Sequence, residues 1–139
     1  VLYYIYDFCH KLLLPLGSIK NKRSYVAVDN LIDFIVECSK NPKAANKTFL
    51  VSDNDDLSTP RLFHLLSKSG GYKNRLIKLN IFILKFIFAI TGKNKIYQRL
   101  ADSMHVDITY TMEKLDWSPP ITVDDALNRC WEGYKSEKN

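Results

Sequence analysis

The sequence predicts an α/β protein that is mostly helical with a few short strands, and three observations support this fold class. Short β-rich segments alternate along the chain with segments of helical length and apolar periodicity. One helix is marked unusually clearly, with Ser58 or Thr59 as its cap, Pro60 in its first turn and Gly70-Gly71 at its end. The 139 residues are 46% hydrophobic, which suits one domain with a real core.

The first half of the chain is predicted to begin with a helix that stops before Pro15, because proline disfavours helical geometry in the residue before it. A helix capped by Asp29 follows, and its apolar residues surround most of its circumference, so we expect it to be largely buried. The predicted elements are a helix at 2–13, a strand at 23–28, a helix at 30–39 and a covered, parallel-type strand at 47–53.

The second half contains the clearly marked helix that begins near Ser58 and, after a short strand, a very apolar segment. We interpret this segment as a buried or partner-facing helix. Asp107 is the predicted cap of a later helix, and Thr122 with Asp125 resembles a capping box at the last one. The predicted elements are a helix from 58 to 69, a strand at 74–80, a helix at 81–91, a basic connector at 92–103, a helix at 108–115, an extended stretch at 117–120 and a helix at 123–134.

Composition excludes several classes of function. The net charge of +5 arises from Lys and Arg spread along the chain without a basic helix face, so nucleic-acid binding is not expected. Three cysteines without ligand spacing predict neither a disulfide framework nor a zinc site, and a reducing cytoplasm fits best. The longest apolar stretch is about half the ~20 residues of a bilayer span, so no membrane association is expected.

Tyr110 and Lys114 have the Tyr-x-x-x-Lys spacing of a catalytic pair found in dehydrogenases. On a helix, however, Ile108, Met112 and Leu115 form the core-facing stripe, and the pair lies roughly opposite to it. No G-x-x-G-x-x-G or G-x-G-x-x-G loop occurs in the sequence. We therefore predict an exposed pair and no catalytic residue.

Four segments together resemble the C-terminal half of extended short-chain dehydrogenases/reductases, whose fold is Rossmann-like. The likeness is to nucleotide-sugar epimerases and 4-keto reductases acting on UDP-sugars in surface polysaccharide synthesis, and it covers nearly all of the chain. The segments are "LPLGSIKNKRSYVAVDNLIDFI", "NKTFLVSDNDDLSTPRLFHLL", "QRLADSMHVDITYTMEKLDWSPP" and "ITVDDALNRCWEGY". One departure is Asp116, which stands where glycine is usual at a helix end.

The resemblance implies a set of substrate-binding residues. Arg23 and Arg99 match the arginines that hold the UDP diphosphate, and Asp102 matches an acidic residue that often contacts the ligand. Leu14 and Leu16, in "LLPLG", match the turn that lines the uracil pocket. Ordinary roles remain open for all of them, namely a solvated strand-edge charge for Arg23 and loop packing for the two leucines.

The resemblance also implies what this chain lacks. The NAD(P)-binding loop and the catalytic residues belong to the N-terminal half, so residues 1–139 would be a single substrate-binding portion that binds no cofactor. The chain starts without methionine, and we expect it to be part of a longer protein.

Three functions follow as alternatives. The first is a substrate-binding fragment of a UDP-hexose or UDP-N-acetylhexosamine 4-epimerase, inactive alone. The second is a fragment of a UDP-4-keto-sugar reductase, and the third is a stand-alone protein-interaction module. Because a missing half would leave apolar surface uncovered, self-association through the helices at 2–13 and 81–91 is expected.

Overall fold

The computed structural model of the protein describes residues 14–138. The helix predicted at 2–13 lies outside the described residues. The described part is mostly helical, as predicted. Its helices are α1 (Val28–Lys40), a 3-10 turn (Pro42–Ala44), α2 (Thr59–Ser69), α3 (Ile81–Ile90), α4 (Asn94–Ala101), α5 (Thr109–Leu115) and α6 (Val123–Lys138).

The predicted strands shrink to isolated bridges within residues 14–138. Arg23 pairs antiparallel with Leu57 and parallel with Met104, and Leu14 pairs parallel with Leu76. Beyond these bridges the backbone pairing is partial: the Asp53 amide still donates to the Tyr25 carbonyl at 2.8 Å, but side chains take over next to it. The Ala27 amide donates to the Asp53 carboxylate at 2.8 Å where a strand would offer a carbonyl. None of the three predicted segments forms a regular strand, so these predictions are wrong. The segments are 23–28, 47–53 and 74–80, and the parallel pairing predicted for the second is wrong as well.

Helix α1 starts two residues earlier than predicted, at Val28 instead of residue 30. Its N-cap is Ala27, and no side chain caps its first turn, so the prediction that Asp29 caps this helix is wrong. The Asp53 carboxylate accepts instead from the amide of Ala27, immediately before the helix. Asp29 lies in the first turn, where its charge suits the helix dipole, and it pairs with Arg129 at 3.3 Å.

The prediction that this helix is largely buried is wrong. Its buried residues are Asn30 and Phe34, because one face alone packs on the core. Phe34 contacts Trp117 edge to face, with ring centroids 5.1 Å apart. The exposed face carries four large aliphatic side chains, which are Val28, Ile32, Ile35 and Val36. This set is named the α1 apolar face below.

Helices α2 and α6 agree with their predicted capping, whereas α5 begins at Thr109 with Ile108 as its N-cap, one residue later than predicted. Ser58 accepts from the Arg61 amide at 3.2 Å, and Thr122 accepts from the Asp125 amide at 3.2 Å. Asp107 accepts from the Thr109 amide at 2.8 Å, and the hydrogen bonds from Thr109 are the main reason that the pKa of this carboxyl lies below its usual value. Asp116 ends α5 in the left-handed conformation, with φ 52° and ψ 42°.

Helix α3 has the predicted position, but Leu84 is its one buried residue. The predicted basic connector after it contains a further helix, α4, which packs against α3. The Phe88 and Tyr97 rings make that contact, with centroids 5.7 Å apart.

Three apolar clusters form the core. The first joins α2 and α6 through Leu66 and Leu127, and the third joins α1 to α5 through Phe34 and Leu115. The second places Leu14 and Leu16 against Leu84, with α4 residues packed on its edge. This second cluster positions the candidate site, because it holds the "LPLG" turn, α3 and α4 together.

Candidate functional site

Arg23 occupies the centre of the extended segment that links the candidate site to the rest of the fold. Its amide donates to the Leu57 carbonyl and its carbonyl accepts from the Leu57 amide, both at 2.9 Å. On the other side, the Met104 amide donates to the Lys22 carbonyl at 2.9 Å. The backbone of Arg23 is thus held between two neighbouring segments, which limits where its side chain can reach.

The structure brings Arg23 and Arg99 together. The Arg23 guanidinium donates through Nη1 to the backbone carbonyl of Arg99, in the last turn of α4. A guanidinium has five N–H donors, so most of those on Arg23 are not used by this contact. The Arg99 side chain itself is exposed. The Arg23 guanidinium and the backbone of Arg99 therefore lie at the same edge of the molecule, which we call the rim.

Asp102 follows α4 directly and is exposed beside the same rim. Asp102 is the C-cap residue of α4, and its amide donates to the Gln98 carbonyl at 2.8 Å. Its carboxylate makes no hydrogen bond or ion pair with any residue between Leu14 and Lys138 that the structure records. The carboxylate can accept a hydroxyl from a ligand that occupies this rim.

Asn21 organises this rim, and sequence reasoning missed it. The side chain is 3% exposed, and its Nδ2 donates to the Leu100 carbonyl at 3.2 Å and the Asp102 carbonyl at 3.3 Å. Its Oδ1 accepts from the Thr59 amide at 2.8 Å. Asn21 therefore connects the start of α2 to the end of α4. An asparagine between two lysines gives no sequence signal for burial.

Leu14 and Leu16 are core residues in the structure, at 7% and 5% exposed. The Leu14 amide donates to the Arg75 carbonyl at 3.1 Å, so it is not available to a base edge. Gly17 approaches the Ile77 carbonyl so closely that a Cβ there would come within 2.9 Å of its oxygen. Packing accounts for these residues without a ligand, and their role in a uracil pocket stays a prediction.

Tyr25 lies next to the candidate site and is half-buried. Burial raises the pKa of its phenol, and the charge of Arg23 offsets part of that effect. Its hydroxyl is therefore protonated near neutral pH and acts as an ordinary hydrogen-bonding group.

Tyr110 is exposed as predicted, whereas Lys114 is half-buried, and the absence of a catalytic role for this pair stays a prediction. Tyr110 is 54% exposed, and its ring stacks on Phe49 with centroids 5.7 Å apart. On the other side of α5, Ile108 and Leu115 are each 2% exposed, as the helical periodicity predicts.

A concave feature lies beside the segment of Arg23, although neither Arg23 nor Arg99 lines it. It is an apolar groove of about 440 Å³ between the start of α1 and α6. Asp29 and Arg129 line it beside their ion pair, and Val28 links it to the α1 apolar face. The sequence offered no signal for this groove, because its walls come from segments about 100 residues apart.

Within residues 14–138, the positions of the glycines do not fit a dinucleotide-binding loop. A dinucleotide loop places glycines at the start of a helix, where the pyrophosphate meets the amide groups. Here the two glycines with positive φ, Gly71 and Gly92, follow the ends of α2 and α3. Within residues 14–138, no group of His, Cys, Asp or Glu side chains could hold a metal ion. No described helix is both long and apolar enough to cross a membrane.

In sequence, the chain is similar to part of a sugar epimerase. The relative is a UDP-glucose 4-epimerase of Vibrio cholerae, which is 38% identical over 127 residues. The match covers 91% of this chain and 39% of the relative, so the chain spans about two fifths of that protein's length. No protein-family profile matches the chain, and no solved structure matches it.

Proposed function

We propose that this chain is the substrate-binding part of a nucleotide-sugar 4-epimerase that acts on a UDP-hexose or a UDP-N-acetylhexosamine. The observation that carries the proposal is the 38% identity to a UDP-glucose 4-epimerase across 91% of the chain. The name of that relative favours an epimerase over the alternative of a 4-keto-sugar reductase. The matched region includes most of the described fold, so the likeness is not confined to one motif.

In this proposal Arg23 and Arg99 bind the diphosphate of the nucleotide sugar. Planar guanidinium groups suit phosphate oxygens, because they offer several donors in a fixed geometry and stay charged at every physiological pH. The hydrogen bond from Arg23 to the Arg99 carbonyl keeps the two residues adjacent. Asp102, at the end of the same helix, accepts a hydroxyl of the sugar or ribose.

The proposed chemistry requires NAD, which residues elsewhere in the whole protein would bind. Bound NAD would supply reversible hydride exchange at C4 of the sugar. Because the glycines within residues 14–138 do not fit a dinucleotide-binding loop, we expect this chain to bind the nucleotide sugar without epimerising it. The α1 apolar face and the adjoining groove offer the surface on which a cofactor-binding portion would pack.

Titration calorimetry with UDP tests the binding site. We expect the chain to bind UDP and Arg99→Ala to weaken binding about tenfold or more, since a charge-assisted hydrogen bond contributes ~1.5–3 kcal/mol. Arg99→Ala is a more specific test than a substitution of Arg23. Alanine at position 99 keeps the backbone carbonyl that accepts the hydrogen bond from Arg23, so only the guanidinium of Arg99 is lost. Arg129→Ala is the matched control, as Arg129 is an exposed arginine paired with Asp29 beside the groove.

Three outcomes decide the matter. No heat with UDP or UDP-N-acetylglucosamine would remove the proposed function. Equal affinities for the Arg99→Ala and Arg129→Ala variants would remove the diphosphate role of Arg99 while leaving nucleotide binding intact. Binding of ADP as tightly as UDP would show that the site does not select uridine.

A further inference from the structure

The acidic residues of this chain are distributed unevenly. Residues 57–101 contain none of its 15 Asp and Glu but nine of its 20 Lys and Arg. The nine are Arg61, Lys68, Lys73, Arg75, Lys78, Lys85, Lys93, Lys95 and Arg99. This segment includes α2, α3 and α4, so one part of the fold carries strong positive charge although the whole chain is only moderately basic.

Most of this charge is not neutralised within the described fold. Two basic residues of α2 form ion pairs: Arg61 pairs with Asp55 at 2.5 Å, and Lys68 pairs with Asp124 at 2.7 Å. Between Leu14 and Lys138, no ion pair involves the basic residues from Lys73 to Lys95. Those lysines are exposed around α3 and α4 and are available to an anionic partner.

Helix α3 presents an unusually apolar surface in the middle of this charge. Phe82 is 78% exposed, Phe86 65% and Ile90 70%. At 3.6 residues per turn these three, with Ile83 and Ile87, fall within an arc of about 140°, while Leu84, Ile81 and Phe88 point the opposite way, into the second core cluster. The exposed arc is therefore a separate surface and not the edge of the core.

Lysines surround this arc. Lys85 lies at its side on the helix wheel, Lys78 precedes the helix, and Lys93 and Lys95 follow it. Ile96, 47% exposed on the neighbouring α4, extends the apolar area. We call the exposed arc of α3 with its surrounding lysines the basic apolar face. Apolar side chains in the centre and cations at the margin are the arrangement of helices that lie in a membrane interface.

We propose that the basic apolar face docks the protein on an anionic lipid bilayer, with α3 lying in the plane of the headgroups. Ten residues are half of what a span requires, so this helix can enter the interface and cannot cross the membrane. The lysines supply attraction to acidic headgroups, and Phe82, Phe86 and Ile90 reach into the acyl boundary. This inference departs from the expectation, drawn from segment length alone, that no membrane is involved.

Charge complementarity favours lipid over a second copy of the chain. A symmetric dimer through this face would bring the same lysines of two molecules together, and like charges repel. An anionic bilayer satisfies the apolar arc and the lysines at once. The basic apolar face includes none of Arg23, Arg99 and Asp102, so membrane docking can be tested separately from the proposed epimerase role.

Vesicle flotation tests the proposal with the full chain. The probes are vesicles of phosphatidylcholine alone and vesicles containing about 30% phosphatidylglycerol. We expect binding to the anionic vesicles and little to the neutral ones, weakening as salt is raised. The triple substitution Lys78→Glu, Lys85→Glu and Lys93→Glu should lower the partition coefficient about a hundredfold. Its matched control is Lys40→Glu, Lys43→Glu and Lys47→Glu, three exposed lysines outside the segment.

A second pair of variants tests the apolar part. Phe82→Ser with Phe86→Ser should abolish binding, while Ile32→Ser with Ile35→Ser on the α1 apolar face should leave it unchanged. All four residues are exposed, so the variants should keep the wild-type circular dichroism.

The proposal is overturned if the wild-type chain floats with neither vesicle, if neutral and anionic vesicles bind equally, or if the control variants lose as much binding as the test variants. Light scattering tests the alternative that a second copy of the chain binds this face. A dimer that becomes monomeric on Phe82→Ser with Phe86→Ser, with vesicle binding unchanged, would assign the face to a second copy.

Discussion

Asp116 shows how a single residue reports the local backbone. Glycine is usual at this position in the family that the sequence resembles, and the structure places Asp116 in the left-handed region, with φ 52° and ψ 42°. Its amide donates to the Met112 carbonyl and so closes α5. A side chain with a Cβ is disfavoured in that region, although Asp and Asn tolerate it better than other residues.

We expect Asp116→Gly to raise the free energy of unfolding by about 0.5–1 kcal/mol, because glycine adopts the left-handed conformation without steric cost. Glu113→Gly is the control, since Glu113 is exposed inside the same helix and its replacement should lower stability by a similar amount. Urea denaturation of both variants measures the difference. If both variants lower the free energy of unfolding equally, the left-handed conformation of Asp116 does not cost stability.

Some residues of the candidate site could be predicted from the sequence, and others are recognised only from their contacts in the structure. Arg23 and Arg99 were predicted from the resemblance and lie side by side, although their role in binding stays a proposal. Leu14 and Leu16 were predicted at the same site and are core residues. Asn21 had no sequence signal, because a buried asparagine is recognised by its partners and not by its neighbours in sequence.

At the scale of elements, the apolar helices α1 and α3 each leave an apolar face exposed. Apolar periodicity predicts that a helix has a face to bury, but it does not state which partner covers that face. In α1 the Phe34 side is covered by Trp117 and Phe49, while Ile32 and Ile35 on the α1 apolar face stay exposed. In α3 the side of Leu84 is covered and the basic apolar face is not.

A pair of substitutions in α1 tests this division. Phe34→Ala should lower the free energy of unfolding by about 3–5 kcal/mol, because it empties a buried aromatic site. Ile35→Ala, at a position 56% exposed, should change it by less than about 0.5 kcal/mol. Thermal or urea unfolding followed by circular dichroism measures both. Similar losses for the two variants would mean that the α1 apolar face is covered in solution, as self-association would cause.

For the whole molecule, side chains rather than strands join distant segments. Asn30 is 0% exposed, and its amide group pairs with the backbone of Ile121 in both directions, at 2.9 Å for each bond. The same side chain donates to Asp53 at 2.7 Å. This one residue therefore links α1 to the segment before α6 and to Asp53, whose carboxylate accepts from the Ala27 amide just before α1.

Asn30→Ala should consequently lower the free energy of unfolding by about 3 kcal/mol, since it leaves the Ile121 amide and carbonyl without their buried partner. Asn128→Ala is the surface control, and we expect it to be neutral or slightly stabilising because alanine is the better helix former. Equilibrium unfolding in urea measures the two changes. A loss below about 1 kcal/mol for Asn30→Ala would show that water replaces these bonds easily.

Local chemistry accounts for what could be predicted of the fold. Helix starts at Ser58 and Thr122 agree with the structure, because a cap is made by residues two or three positions apart. The strands at 23–28, 47–53 and 74–80 could not be predicted correctly, because pairing depends on segments far away in the chain. Helix α4 was missed because the basic residues around it resemble those of a loop.

The sequence by itself determined the helical character, the capped helix starts, the left-handed end at Asp116 and the exposure of Tyr110, all of which depend on contacts within one or two helical turns. Only the tertiary structure decided that Arg23 reaches the Arg99 carbonyl, that Asn21 and Asn30 are buried, and that the apolar side of α3 faces outward among lysines. Those features depend on which distant surfaces meet, and hydrophobicity and charge along the chain do not specify that.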